Sequence, residues 1–84
     1  MALERMHDVL RARLLADGAT PSQEVAWQKL WDLARDKSGE PIPCPACFVA
    51  TGQANRVSPR DNVGTMAVGR CDVCKAVFQW PDEH

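Results

Sequence analysis

Four cysteines in two short pairs constrain the fold of this chain more than any other feature of its sequence. The first pair is Cys44-Pro-Ala-Cys47 and the second is Cys71-Asp-Val-Cys74. The spacing within each pair lets two thiolates converge on one ion, and two such hooks complete a tetrahedral shell, which zinc fits best. We therefore predict one structural zinc ion per chain, bound by all four cysteines.

The alternative to a metal site is a pair of disulfides, which requires an oxidising compartment. Residues 1–10 include charged side chains and lack the unbroken apolar core of a secretory signal. No apolar run in the sequence approaches the length that a membrane-spanning helix needs. We therefore expect a reducing, cytoplasmic setting and no membrane partner.

The zinc ion is expected to be part of the fold. Residues 42–80, which contain both hooks, are close to the roughly 40-residue limit below which a chain usually needs a metal, disulfides or a partner. Structural zinc contributes on the order of 10 kcal/mol of apparent binding free energy, comparable to the stability of an ordinary domain. Removal of the metal should therefore unfold this half of the chain.

The first half of the sequence, residues 1–39, predicts a helical hairpin. One amphipathic helix is expected over about residues 3–16, with an apolar stripe formed by Leu3, Met6, Leu10 and Leu14. The second is expected to start after Thr20, with Pro21 in its first turn and Gln23 closing a capping box, and to run to about residue 37. Because the connection is short, the two helices should be antiparallel.

The second half, residues 40–84, predicts a small antiparallel sheet of three strands. Two strands are expected over residues 48–50 and 63–69, joined through the polar stretch 53–62, and a third over residues 75–80. The expected fold is α+β, with the helical hairpin packed on the sheet in one compact domain. Its core should contain Trp27, Leu30, Trp31, Phe48, Phe78 and Trp80.

The order of hook, hairpin, hook and strand resembles the zinc-ribbon class, with Cys44, Cys47, Cys71 and Cys74 at the four ligand positions. The resemblance covers the second half of the chain and implies a metal and a local fold. It implies no single task, because zinc ribbons occur in transcription factors, ribosomal proteins, enzyme subunits and adaptor modules.

Rubredoxins are similar in ligand pattern, which leaves electron transfer on iron as an alternative. Their hooks usually carry glycine directly after the second cysteine, whereas this chain has Phe48 and Lys75 at those positions. The resemblance to rubredoxins is therefore weaker than the resemblance to zinc ribbons.

No enzymatic site is predicted. Four thiolates on zinc leave no open position for a water molecule. The two histidines, His7 and His84, are expected to be solvated. Cys44 lies between Pro43 and Pro45, where an extended chain is expected instead of the helix N-terminus typical of a reactive dithiol. We expect no small-molecule substrate, although thiol redox activity stays open as an alternative.

Charge disfavours nucleic acid as the partner. From residue 40 onward there are four basic and five acidic residues. Binding of zinc by four thiolates changes the formal net charge of the chain from −1 to −3. A nucleic-acid-binding zinc ribbon remains the alternative, with Arg56 and Arg60 at the tip of the hairpin as candidate contacts.

Another protein, or a second copy of this chain, is the preferred partner. Two short helices on a small sheet rarely bury two full apolar stripes, so we expect the stripe of Leu3, Met6, Leu10 and Leu14 to be available to a partner. The sequence therefore predicts a small zinc-binding module that acts as a protein-interaction or accessory protein.

Overall fold

The computed structural model describes the backbone of residues 2–37 and 40–81, and the side chains of residues 4–37 and 40–81. The elements follow in the order α1 (Ala2–Ala16), α2 (Pro21–Asp36), α3 (Pro45–Thr51), β1 (Val57–Val63), β2 (Met66–Cys71) and β3 (Val77–Pro81). The predicted α+β fold is confirmed, with its helices in the N-terminal part and an antiparallel sheet of order β1-β2-β3 in the C-terminal part.

Local signals in the sequence determine where α1 ends and α2 begins. Gly18 adopts a left-handed conformation with φ of 88°, which stops α1. At the start of α2, the N–H of Gln23 donates to Thr20 Oγ1 at 3.2 Å, and the N–H of Thr20 donates to Gln23 Oε1 at 2.9 Å. The predicted capping box is therefore confirmed.

The predicted strand over residues 48–50 is wrong, because these residues belong to α3. Cys44 caps this helix, Pro45 occupies its first turn, and Gly52 with φ of 77° follows its last residue. Proline at the start and glycine after the end are the usual boundaries of a helix. The sequence thus contained the boundary signals for α3. The prediction missed them because the helix is only 7 residues long and begins inside the first hook.

The hairpin also differs from the prediction, since much of the polar stretch 53–62 is strand β1. The register pairs Val57 with Cys71 and Val63 with Met66, and the turn lies at Gly64-Thr65. Pro59 is tolerated because β1 is an edge strand. The polarity that indicated a loop belongs to a strand that is exposed along most of its length.

One core joins the helices to the sheet. It consists of Met6, Leu10, Leu14, Trp27, Trp31, Cys44, Cys47, Val57, Cys71, Phe78 and Trp80. The prediction that Trp27 and Trp31 share a core with Phe78 and Trp80 is confirmed. Phe48 packs against this core while partly buried, and Leu30 is half-buried.

The predicted partner surface on α1 is wrong for Met6, Leu10 and Leu14, which are buried. Helix α1 contacts α2, α3 and β3, so these three side chains face the interior. These three side chains are covered because α1, and not α2, lies against the sheet. The side chain of Leu3 lies outside the described part of the structure.

Trp27 connects α2 to the segment that leads into the first hook. Its indole Nε1–H donates to the carbonyl of Pro43 at 3.1 Å, and its ring stacks on Trp31 with centroids 5.9 Å apart. His7 packs against both rings, and its Nε2 lies 2.7 Å from Gln28 Oε1. The prediction of a solvated His7 is therefore wrong, since only 23% of its side chain is exposed. His84 lies outside the described residues.

Candidate metal centre

The two hooks meet where the start of α3 lies beside the end of β2. The N–H of Cys44 donates to the carbonyl of Asn55 at 2.9 Å, and the N–H of Asp72 donates to the carbonyl of Arg56 at 3.0 Å. Both hooks are therefore anchored to the same short segment that enters β1. This backbone pairing brings residues distant in sequence to one site.

The four cysteine sulfurs form one compact cluster. All four Sγ atoms lie within 4.8 Å of one another, and no other group of three or more potential ligands of these types occurs among the described residues. The Sγ atoms of Cys44 and Cys74 are 3.7 Å apart, and those of Cys47 and Cys71 are 3.6 Å apart.

These separations match a shared metal ion. A tetrahedral ion with metal–sulfur bonds of about 2.3 Å places neighbouring sulfurs about 3.8 Å apart. A disulfide would require a separation of about 2.05 Å, and all four cysteines are free. The predicted ligand residues Cys44, Cys47, Cys71 and Cys74 are therefore arranged so that they could hold a metal.

Backbone amides in both hooks point at the sulfurs. The N–H of Cys47 donates to Cys44 Sγ at 3.5 Å. The N–H groups of Val73 and Cys74 donate to Cys71 Sγ, each at 3.4 Å. Such donors orient a ligating thiolate and offset part of its charge.

The two hooks leave the metal centre differently. The first already lies within α3, which begins at Pro45 and continues past Cys47 through Phe48. The second turns sharply at Lys75, which has φ of 65°, and the Lys75 ammonium donates to the carbonyl of Asp72 at 2.8 Å. A left-handed conformation costs a non-glycine residue roughly 1–2 kcal/mol, which the surrounding contacts must offset.

The environment makes the thiols inequivalent when no metal is bound. Burial raises the pKa of the Cys44 thiol well above its ordinary value. Burial also opposes ionisation of Cys71, but the N–H groups of Cys74 and Val73 donate to its sulfur and lower its pKa to about 7. Because a metal requires thiolates, its binding must displace the proton of Cys44.

The structure changes the argument against a reactive dithiol at the first hook. Cys44 is itself extended, with φ of −73° and ψ of 119°, but it caps α3 and so lies at a helix N-terminus. The prediction of an extended stretch without an adjacent helix was therefore wrong. Burial of Cys44 and its raised pKa are what oppose thiol reactivity here.

Arg56 and Arg60 do not lie at the tip of the hairpin. Arg56 forms an isolated bridge with Pro43, and Arg60 lies within β1. By strand alternation both project from the face opposite to Val57, and Arg70 of β2 projects from the same face. Sequence reasoning missed Arg70, which the alternation of β2 would have indicated. None of the three arginines forms an ion pair with an acidic side chain of the described chain.

Within residues 2–37 and 40–81, no helix combines the length and apolar character needed to cross a membrane. Comparisons with models of protein families, with curated proteins and with solved structures gave no match.

Proposed function

We propose that this protein is a small zinc-binding module, similar to a zinc ribbon in its C-terminal half, that acts by binding another protein. The observation that carries the proposal is the cluster of four Sγ atoms within 4.8 Å, contributed by two separate hooks. Its zinc is structural, because four thiolates fill a tetrahedral shell and leave no position for a reacting water.

The surroundings support a structural role for the ion. Three of the four ligands, Cys44, Cys47 and Cys71, belong to the same core as Trp27 and Trp80. A metal bound there stabilises the packing between helices and sheet, as well as the two hooks. The chain is small enough for this contribution to decide whether it folds.

The acid–base residues between α1 and α2 support a non-enzymatic role. A cleft of about 320 Å³ between α1 and α2 is lined by Glu4, His7, Asp8, Gln28, Trp31 and Arg35. It contains no serine, threonine or cysteine that could serve as a nucleophile beside His7. The imidazole instead packs against two tryptophans and bonds to Gln28, which is a structural use of a histidine.

The face of the sheet opposite to α1 is the surface that we assign to a protein partner. Val77 is 51% exposed on this face, and strand register places Val68 beside Arg60 and Arg70 beside Val77. Aliphatic side chains together with arginine are common in protein interfaces. This face takes the place of the predicted surface on α1, where Met6, Leu10 and Leu14 are buried.

Nucleic acid is the second candidate partner, and one specific observation favours it. Arg56, Arg60 and Arg70 share one face and are not neutralised by acidic side chains of the described residues. Opposing it, the chain has a formal net charge of −1 before any metal binds, and the charge falls further with zinc. Phosphate binding usually needs a clear excess of positive charge.

The metal assignment is tested by elemental analysis of protein purified under reducing conditions, together with a chelator titration. We expect one zinc per chain and a red shift of tryptophan fluorescence on chelation, because Trp27, Trp31 and Trp80 are buried in the folded protein. Iron would instead support electron transfer, and a chain that folds without any metal would contradict the proposal.

The two partner classes are separated by salt dependence and by position-specific crosslinking. For nucleic acid, the double variant R56Q/R60Q is compared with the control K29Q/K37Q, which removes the same charge from exposed positions within α2 and directly after it. Salt-dependent binding to single-stranded or duplex oligonucleotides, lost only in R56Q/R60Q, would establish the second candidate.

For protein, a photo-crosslinker at position 77 should give a defined adduct, and one at Val25, exposed on α2, should not. Adducts from Val25 alone would contradict the assigned face.

A further inference from the structure

Cys74 differs from the other three ligands in its access to solvent. Cys44, Cys47 and Cys71 are buried, whereas Cys74 is exposed in the turn that follows β2. It borders an open groove of about 530 Å³ that runs between this turn and α3. A small reagent can therefore reach Cys74 without any opening of the core.

When a metal is bound, this difference in access determines which cysteine reacts first with an oxidant. A thiol that coordinates a metal is deprotonated, so all four sulfurs are thiolates in the metal-bound protein. Thiolate reactivity toward oxidants then depends chiefly on exposure. Cys74 is the only one of the four ligands that combines the thiolate form with exposure.

The neighbour of Cys74 in the cluster is a sulfur from the other hook. Cys74 Sγ lies 3.7 Å from Cys44 Sγ, and a disulfide requires about 2.05 Å. Movement of the exposed turn by roughly this difference would join the two sulfurs, while the Cys44 end is held in the core.

We propose that Cys74 is an oxidation site through which hydrogen peroxide opens the metal centre, forming a disulfide between Cys74 and Cys44 and releasing the metal. This inference rests on the proposed metal site. It specifies that Cys74 is oxidised first and that the product is a disulfide between Cys74 and Cys44.

The disulfide forms in two steps. The Cys74 thiolate attacks one peroxide oxygen, an S–O bond forms, the O–O bond breaks and hydroxide leaves, so the sulfur is oxidised by two electrons and the peroxide is reduced. The resulting sulfenic acid is a poor ligand. The Cys44 thiolate then attacks the sulfur of Cys74, the S–S bond forms, the S–O bond breaks and a second hydroxide leaves. The two remaining thiolates hold the ion too weakly to retain it against a chelator.

The test begins with the zinc content of the full chain, which examines the metal site by itself. The zinc-loaded protein is then treated with hydrogen peroxide while a zinc-sensitive dye records release. Samples are quenched with acid, alkylated and mapped by mass spectrometry. We expect one zinc released for each Cys44–Cys74 disulfide formed, and recovery of the reduced, zinc-binding protein after treatment with a dithiol.

A second measurement avoids dependence on variants that do not fold. Limiting N-ethylmaleimide is added to the zinc-loaded wild-type protein, and the four cysteines of each molecule serve as controls for one another. We expect Cys74 to be alkylated at least about tenfold faster than each of the other three.

The outcomes are distinguishable. A chain that binds no zinc would overturn the proposed function, and with it the release of metal inferred here. A zinc-loaded chain that first forms a disulfide within one hook, or in which a buried cysteine is alkylated before Cys74, would overturn this inference and leave the metal site intact. Release of zinc without modification of Cys74 would also overturn it.

Discussion

Cys71 belongs both to the cysteine cluster and to the sheet. Its sulfur is buried, accepts hydrogen bonds from the N–H groups of Val73 and Cys74, and lies 3.6 Å from Cys47 Sγ. It is also the last residue of β2, where it pairs with Val57. A change at this single position therefore affects the ligand set, the hook and the sheet together.

We expect the substitution Cys71→Ser to abolish stoichiometric zinc binding and to unfold the C-terminal half. The loss should approach the whole stability of the protein, since structural zinc contributes on the order of 10 kcal/mol. Elemental analysis and near-ultraviolet circular dichroism measure the two effects. Ala50→Ser, at an exposed position of α3, is the matched control. A zinc-free Cys71→Ser protein with a native spectrum would refute a structural role for the metal.

Gly69 shows how closely the sheet approaches the core. A β-carbon at this position would lie 3.0 Å from Trp80 Cη2 and 3.0 Å from Val57 Cγ1. These neighbours are parts of two buried side chains, so they have little room to move. Glycine is required here for space, and not for an unusual backbone angle.

Gly69→Ala should therefore destabilise the zinc-loaded protein by about 1–3 kcal/mol through overpacking. Urea denaturation at constant zinc concentration provides the measurement. Gln79→Ala, on the exposed face of β3, should change the free energy of unfolding by less than about 0.5 kcal/mol. Equal effects of the two substitutions would show that Gly69 is not closely packed in solution.

At the scale of elements, α1 holds the two halves of the chain together. It contacts α2, α3 and β3, so it lies between the second helix and the sheet. Sequence reasoning correctly identified its apolar stripe but assigned that stripe to an external partner. The periodicity indicated which face of the helix is apolar, and it contained no information about what covers that face.

Leu10→Ala and Leu15→Ala test this arrangement on a single helix. Leu10 is 0% exposed and Leu15 is 44% exposed. We expect Leu10→Ala to cost about 2–5 kcal/mol of stability because it leaves a cavity in the core. The exposed control, Leu15→Ala, should cost much less. Thermal or urea unfolding of the zinc-loaded variants measures both, and a negligible effect of Leu10→Ala would mean that α1 does not pack as described.

At the scale of the whole molecule, metal binding should depend on pH because it releases protons from the cysteine thiols. Burial of Cys44 keeps this thiol protonated in the metal-free fold, and Cys71 has a pKa of about 7. Zinc bound at the proposed site would have to displace these protons. A metal-free chain that is unfolded, with thiol pKa values of about 8.5, requires proton release of the same sign.

The apparent zinc affinity should therefore fall as the pH is lowered. Because at least one thiol keeps its proton throughout the range, we expect a loss of at least about tenfold per pH unit between roughly pH 8 and pH 6. Competition with a chelator of known pH dependence provides the measurement. An affinity that does not change with pH would contradict ligation by thiolates.

The sequence by itself determined the features that depend on local chemistry. The spacing of Cys44, Cys47, Cys71 and Cys74 indicated a single cluster, the Thr20 capping box located the start of α2, and alternation located β3. Each of these signals lies within a few residues, where steric and hydrogen-bonding preferences act without help from the rest of the chain.

Only the tertiary structure decided how these pieces are used. It placed α1 against the sheet and buried Leu10, it made a strand of a polar edge segment, and it positioned Arg70 on the same sheet face as Arg60. It also left Cys74 as the one exposed ligand. Burial, edge position and exposure are properties of packing between distant segments, and local patterns of residues do not determine that packing.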